Sequence, residues 1–128
     1  MEKSCVLIKP GFKHLEKEII KWLEGVGGKI IKRKEFYLTH EQLKKHYAHL
    51  YNESFYPELE KYMMSDKVVG MVVEGENIIA EIRRILGPTK NAPKGTIRGE
   101  YAINGRENVL HASDCLETAE QEIKRFFG

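Results

Sequence analysis

Two apolar stretches, Cys5 to Ile8 and Val68 to Val73, each run into turn residues and then into a segment with helical periodicity. This repeated order most restricts the folds open to the chain, because a continuous apolar run of four to six residues reads as a strand with no side chain left for water. After the first run, Leu15, Ile19, Trp22, Leu23 and Val26 recur on one helical face, and Gly27-Gly28 end the helix. After the second, Ile78, Ile79, Ile82 and Ile85 do the same, with Gly87-Pro88 beyond the helix end. Lys29 to Leu38 is β-like, and its Lys32-Arg33-Lys34 cluster reads as a solvated strand face rather than a binding patch.

Between the two units lie further helical signals. Thr39 and Gln42 have capping-box spacing ahead of Leu43, His46, Tyr47 and Leu50, and Pro57 suits the first turn of a short helix carrying Leu59, Tyr62 and Met63. From Gly87 to about Asn108 no periodic element stands out, and loops of that length in compact domains usually carry function. A short strand around Val109-Leu110 leads to a last helix, with Asp114 and Glu117 at capping-box-like spacing and Leu116, Ala119, Ile123 and Phe127 predicted to face inward. The expected fold is α+β: a ferredoxin-like βαββαβ antiparallel sheet covered by helices on one face, with an additional short helical segment.

With 128 residues, 41% of them hydrophobic, the chain can bury one core, and no linker divides it, so residues 1–128 are expected to form a single domain. The apolar runs are far too short to span a bilayer and no basic-then-apolar leader opens the chain, so a cytoplasmic protein without a membrane partner is expected. Cys5 and Cys115 have neither metal nor redox spacing and read as free thiols. A net charge of +2 from 21 basic and 19 acidic residues is too balanced to make nucleic acid the expected main partner.

The chemistry concentrates near the end of the long connection. His111-Ala112-Ser113-Asp114 leads into the last helix, and an imidazole beside a helix N-terminus would meet oriented N–H groups that lower its pKa and attract phosphate. Upstream, Gly95-Thr96-Ile97-Arg98-Gly99 combines flexible backbone with a guanidinium suited to phosphate oxygens. A histidine taken alone is usually structural or solvated, Arg83 beside Arg84 reads as an exposed helix residue, and Phe55 reads as core. His14, His40, His46 and His49 carry no functional signal of their own.

The ordered set Val6-Leu7-Ile8-Lys9-Pro10, His46-Tyr47, Phe55-Tyr56-Pro57-Glu58-Leu59, Val72-Val73-Glu74-Gly75-Glu76-Asn77, Gly95-Thr96-Ile97-Arg98-Gly99 and Asn108-Val109-Leu110-His111-Ala112-Ser113-Asp114 resembles the nucleoside diphosphate kinase family over nearly the whole chain. The resemblance implies a ping-pong transfer between nucleoside triphosphates and diphosphates through phospho-His111, with Mg²⁺ carried mainly by the nucleotide phosphates rather than by protein ligands. It implies a homo-oligomer, with a hexamer preferred. It implies Arg83, Thr89 and Arg98 on the phosphates, and Lys9 on phosphates and sugar. Asn108 would meet a ribose hydroxyl, Phe55 the base face with Leu59 beside it, and Tyr47 the nucleophile and phosphate. Glu122 and Ser113 would support the histidine from behind.

Departures from the family pattern are also legible. Gly11 stands at the usual aspartate position, the passage into the first helix is about two residues short, and so is the stretch between Thr89 and Gly95. Gly105-Arg106-Glu107-Asn108 places the arginine one residue early, so Arg106 is expected to contact the nucleotide in an altered manner. These departures keep a catalytically weak nucleotide-binding regulatory protein as the alternative, ahead of a nucleic-acid-binding module.

Overall fold

The computed structural model describes residues 1–128. Its sheet contains β1 (Glu2–Ile8), β2 (Lys29–Phe36), β3 (Val68–Gly75) and β4 (Leu110–Ala112), in the spatial order β2-β3-β1-β4 with every pair antiparallel. Helices α1 (Glu16–Gly25) and α4 (Ile78–Leu86) complete the βαβ units, each joining strands that a third strand separates. Helices α2 (His40–His46) and α3 (Tyr56–Met63) fall between the units, α5 (Ile97–Tyr101) lies in the long connection, and α6 (Leu116–Phe127) closes the chain.

The sheet is covered on both faces, not one. Val6 and Ile8 of β1 join Val69, Met71 and Val73 of β3 in a core with Ile19 and Leu23 of α1 and Ile78, Ile79, Ile82 and Ile85 of α4. The alternate residues Cys5 and Leu7 point the other way, into a second core with Leu43 of α2, Leu59 and Met63 of α3, and Phe126 of α6. The physical reason is the period-two alternation of a strand: a run apolar at every position must bury both of its faces. Edge strand β2 is different, since Lys32, Arg33 and Lys34 are exposed. Arg33 there donates from Nε and Nη2 to the two Glu16 oxygens at 2.8 Å, so part of the cluster's charge is already paired.

Three local expectations change. The connection from Gly87 to Asn108 contains α5, which is too short to show a hydrophobic period. Thr96 caps it, its hydroxyl accepting from Gly99 N at 3.0 Å and donating to Pro93 O at 2.7 Å, so Gly95-Thr96-Ile97-Arg98-Gly99 is a fixed turn of helix rather than flexible backbone. A Cβ on Gly99 would lie 1.9 Å from Pro93 O, which leaves no room for any other residue there.

The last helix also starts later than Asp114. Cys115 takes the N-cap position, Thr118 Oγ1 accepts from Cys115 N at 3.1 Å, and the Thr118 hydroxyl donates to the Asp114 carboxylate at 2.6 Å. That bond holds the Asp114 carboxyl below the usual carboxylate range. As a result the inward face of α6 is Ala119, Glu122 and Phe126, while Leu116 is exposed and Phe127 only partly buried. An acidic residue on the buried face cannot be found by hydrophobic pattern.

Candidate active site

His111 is the middle residue of β4, opposite Leu7 of β1, and not a residue at the helix start. Alternation decides where it points. Leu110 and Ala112 belong to the α1/α4 core, so His111 projects to the opposite face, where α2 and α6 pass. The backbone just before it is strained. Val109 has φ 83, unusual for a β-branched residue, and Leu110 N donates to Asn108 O at 3.1 Å, closing a γ-type turn. Such a conformation costs about 1–3 kcal/mol and persists only where neighbours fix it. Here Lys9 N donates to Val109 O at 2.9 Å, and Arg98 Nε donates to Asn108 O at 3.1 Å.

Behind His111 a chain of hydrogen bonds runs into the sheet. His111 Nε2 lies 2.7 Å from Glu122 Oε2, and the other carboxylate oxygen accepts from the Ser113 hydroxyl at 2.7 Å. Ser113 Oγ in turn accepts from Cys5 N of β1 at 3.0 Å, while Ser113 N donates to Cys5 O at 3.1 Å. Ser113 is fully buried and Glu122 is 6% exposed. The Glu122 carboxylate accepts, so Nε2 carries the proton that faces it. The lone pair of a neutral imidazole then belongs to Nδ1.

His46, which carried no signal of its own in the sequence, is packed against this unit. Its ring meets the His111 ring at 4.4 Å between centroids and 83°, and its Nδ1 lies 3.6 Å from Glu122 Oε2. Arg125 Nη1 is 3.3 Å from the same nitrogen. A guanidinium only donates, so His46 Nδ1 is the acceptor and the ring is neutral. Burial, then the neighbouring His111 and Arg125, push the His46 pKa down to about 2. The one signal that could have found it is its place in the His46-Tyr47 segment.

In front of His111 lies a cavity of about 600 Å³. All the sequence-predicted site residues line it except Ser113 and Glu122, which support His111 from behind. A second cavity of about 350 Å³ shares Tyr47, Arg83 and His111 with it. Lys9, at the end of β1, is 6% exposed and donates to Asn108 Oδ1 at 2.7 Å and to Arg106 O at 3.4 Å. Burial, then the positive charge of Arg98, lower its pKa to about 7. Arg98, projecting from α5, donates to Asn108 O, Gly87 O and Leu110 O at 3.0–3.1 Å. Three of its five N–H groups thus tie the cavity wall together, and two remain for a ligand.

The other groups are less constrained. Arg83 on α4 is exposed and donates to Ala112 O at 3.4 Å. Phe55 immediately precedes α3 with 43% of its surface exposed, next to buried Leu59. Tyr47 follows α2, and burial, then the Glu122 charge, raise its pKa to about 12. Thr89 is exposed at the mouth.

No carboxylate lines the larger cavity. The one cluster whose atoms could converge on a metal is His46, His111 and Glu122, with ligand atoms all within 4.8 Å of one another. Two imidazoles beside the Arg125 guanidinium make a poor donor set for Mg²⁺, which prefers oxygen ligands and substrate phosphates. The cationic cavity fits a metal that enters with phosphates. No helix is long and apolar enough to cross a membrane.

The chain is similar over nearly its whole length to known proteins. The family model for nucleoside diphosphate kinase matches residues 2–128. A nucleoside diphosphate kinase of Saccharolobus islandicus is 44% identical, with 99% of this chain and 95% of the relative covered. One from Pasteurella multocida is 38% identical, over 99% of this chain and 94% of the relative. Among solved structures, apo nucleoside diphosphate kinase from Encephalitozoon cuniculi superposes with a TM-score of 0.95 at 36% identity, covering 100% of this chain and 90% of that one. The Aquifex aeolicus enzyme gives 0.90 at 30% identity, with 99% and 95% covered.

Proposed function

This chain belongs to the nucleoside diphosphate kinase family, and we propose that it moves the terminal phosphoryl group of a nucleoside triphosphate to a nucleoside diphosphate through phospho-His111. It is a phosphotransferase acting on nucleotides. The observation that carries the mechanism is the 2.7 Å contact of His111 Nε2 with Glu122, which leaves Nδ1 as the free nitrogen of a residue lining a cavity rich in cations.

In the first half-reaction the Nδ1 lone pair forms a bond to the γ-phosphorus. The bond from phosphorus to the β-γ bridging oxygen breaks, and the electron pair leaves with the nucleoside diphosphate. No separate base is needed, because Nδ1 holds no proton to remove. The imidazole becomes cationic as the N–P bond forms, and Glu122, fixed by Ser113, stabilises that charge. The second half-reaction reverses these steps with a different diphosphate.

Lys9, Arg83, Thr89 and Arg98 supply positive charge and donors to the phosphates, Tyr47 supports the transferring group, Asn108 meets the ribose and Phe55 stacks on the base beside Leu59. Mg²⁺, when bound through the nucleotide phosphates, neutralises part of their charge. We place the activity in one domain over residues 1–128 of a cytoplasmic homo-oligomer, a hexamer in preference to smaller assemblies. Two free cysteines, one of them exposed, suit a reducing compartment.

Incubation with γ-labelled ATP and Mg²⁺, followed by a chase with a second nucleoside diphosphate, tests the mechanism. Acid-labile label on the protein that passes to the acceptor is expected. Labelling and transfer that survive in His111→Ala would remove His111 as the carrier.

A further inference from the structure

The segment before Asn108 is held more firmly than an exposed loop requires. Asn104 Oδ1 accepts from Arg106 N at 2.9 Å and from Glu107 N at 2.7 Å, and Ile103 N donates to Glu107 O at 2.9 Å. Arg106 O accepts from Lys9 Nζ at 3.4 Å, and Asn108 Nδ2 donates to Gly105 O at 2.8 Å. Both polar atoms of the Arg106 backbone are therefore pinned, one by the loop's own asparagine and one by Lys9, the buried lysine that follows β1.

From that fixed backbone the Arg106 side chain, 35% exposed, reaches across the cavity mouth to α3, where Nη1 lies 3.7 Å from Glu58 Oε2. Glu58 is 80% exposed and stands in the same helical turn as Phe55, whose aromatic ring is open to the cavity. An exposed pair at this distance adds little to the stability of the fold. It does show where the guanidinium rests: beside the first turn of α3, at a cavity that Phe55, Gly105 and Arg106 line together. A guanidinium is planar and stacks on aromatic faces, which an ammonium cannot do.

We propose that Arg106 and Glu58 form the specificity wall of the base site, with Arg106 laid over the nucleobase opposite Phe55 and Glu58 holding the guanidinium there. The larger ring face of a purine gains more from being sandwiched than that of a pyrimidine, so purine nucleotides are the preferred substrates. The inference rests on the nucleotide reading of the cleft given above. It makes Arg106 a substrate-contacting residue and Glu58 a positioning residue that acts through it.

The test compares kcat/KM for GDP, IDP, CDP and UDP as acceptors, at a fixed ATP concentration, in the wild type, Arg106→Ala, Arg106→Lys and Glu58→Gln. The wild type is expected to favour the purines by about tenfold, and Arg106→Ala to lose most of that ratio. Arg106→Lys should lose it too, since it keeps the charge but not the plane, whereas Glu58→Gln should lose part of it. A wild type without purine preference overturns the proposal. So does a ratio restored by lysine, or an equal loss for all acceptors, because each means that Arg106 acts on phosphate. Acid-labile labelling by γ-labelled ATP is measured on the same samples: a wild type that takes no label fails the phospho-His111 reading, whereas normal labelling with an unchanged ratio fails only this inference.

Discussion

The cleft is built differently at its two ends. Around His111, the groups Ser113, Glu122, Lys9, Asn108 and Arg98 are all buried, and each is tied to a residue from another segment of the chain. Around Phe55, the ring and Glu58 are exposed, and the contact across the mouth is a single ion pair at 3.7 Å. The contrast matches what the proposed function asks of each end. Phosphoryl transfer is sensitive to small errors in the placement of nucleophile and charge, so the His111 end is fixed by strands, a helix and a strained turn. Recognition of a flat ring needs only faces of the right polarity, which an open slot can offer.

Substitutions at the two ends should therefore fail in different ways. The largest effect is expected for His111→Ala, with transfer reduced by at least about 10⁴-fold in a coupled nucleotide assay. Glu122→Gln removes the charge behind the nucleophile without removing bulk, and single-turnover labelling should slow about 10- to 100-fold. Equal labelling rates would mean that the Glu122 charge does not stabilise the imidazolium.

Ser113→Ala strands Cys5 N and one Glu122 oxygen, and urea denaturation should report a loss of about 1–3 kcal/mol. Phosphate binding at this end should also depend on pH. Lys9 has its pKa lowered to about 7 by burial, so the free protein loses the ammonium charge above neutrality while bound phosphate retains it. KM for nucleotide is then flat below pH 7 and rises above it by up to about tenfold per unit; a flat KM between pH 7 and 9 would remove Lys9 from the phosphates.

The smallest structural effect is expected at the open end. Phe55→Ala should raise KM by about fivefold to tenfold while changing unfolding free energy by less than about 0.5 kcal/mol, because the ring is already 43% exposed. A large loss of stability would make Phe55 a core residue and erase the contrast.

Much of this was legible along the chain. Apolar runs in β1 and β3, the isoleucines of α4 and the Thr39–Gln42 cap were all read in place, because each is a local pattern with its own period. The family's motifs carried the names of the residues that line the cavity. Other features escaped. Helix α5 is too short for a period, Glu122 sits on a buried face where hydrophobicity is the wrong signal, and His46 gains its significance only from packing. Helices on both sheet faces were implicit in the unbroken apolar run of β1, but the one-face expectation did not follow that implication through.

The amino-acid sequence by itself determined the alternation of strands and helices, the family and His111 as the candidate nucleophile, since all of these reside in short-range pattern and motif order. Tertiary structure alone decided that His111 leaves the sheet on the α2/α6 face and that Glu122 and Ser113 meet behind it. It also decided that Arg106 reaches Glu58 across the cleft mouth. The reason is physical: these contacts join different elements of the fold, and only strand register and helix packing bring those elements within reach of one another.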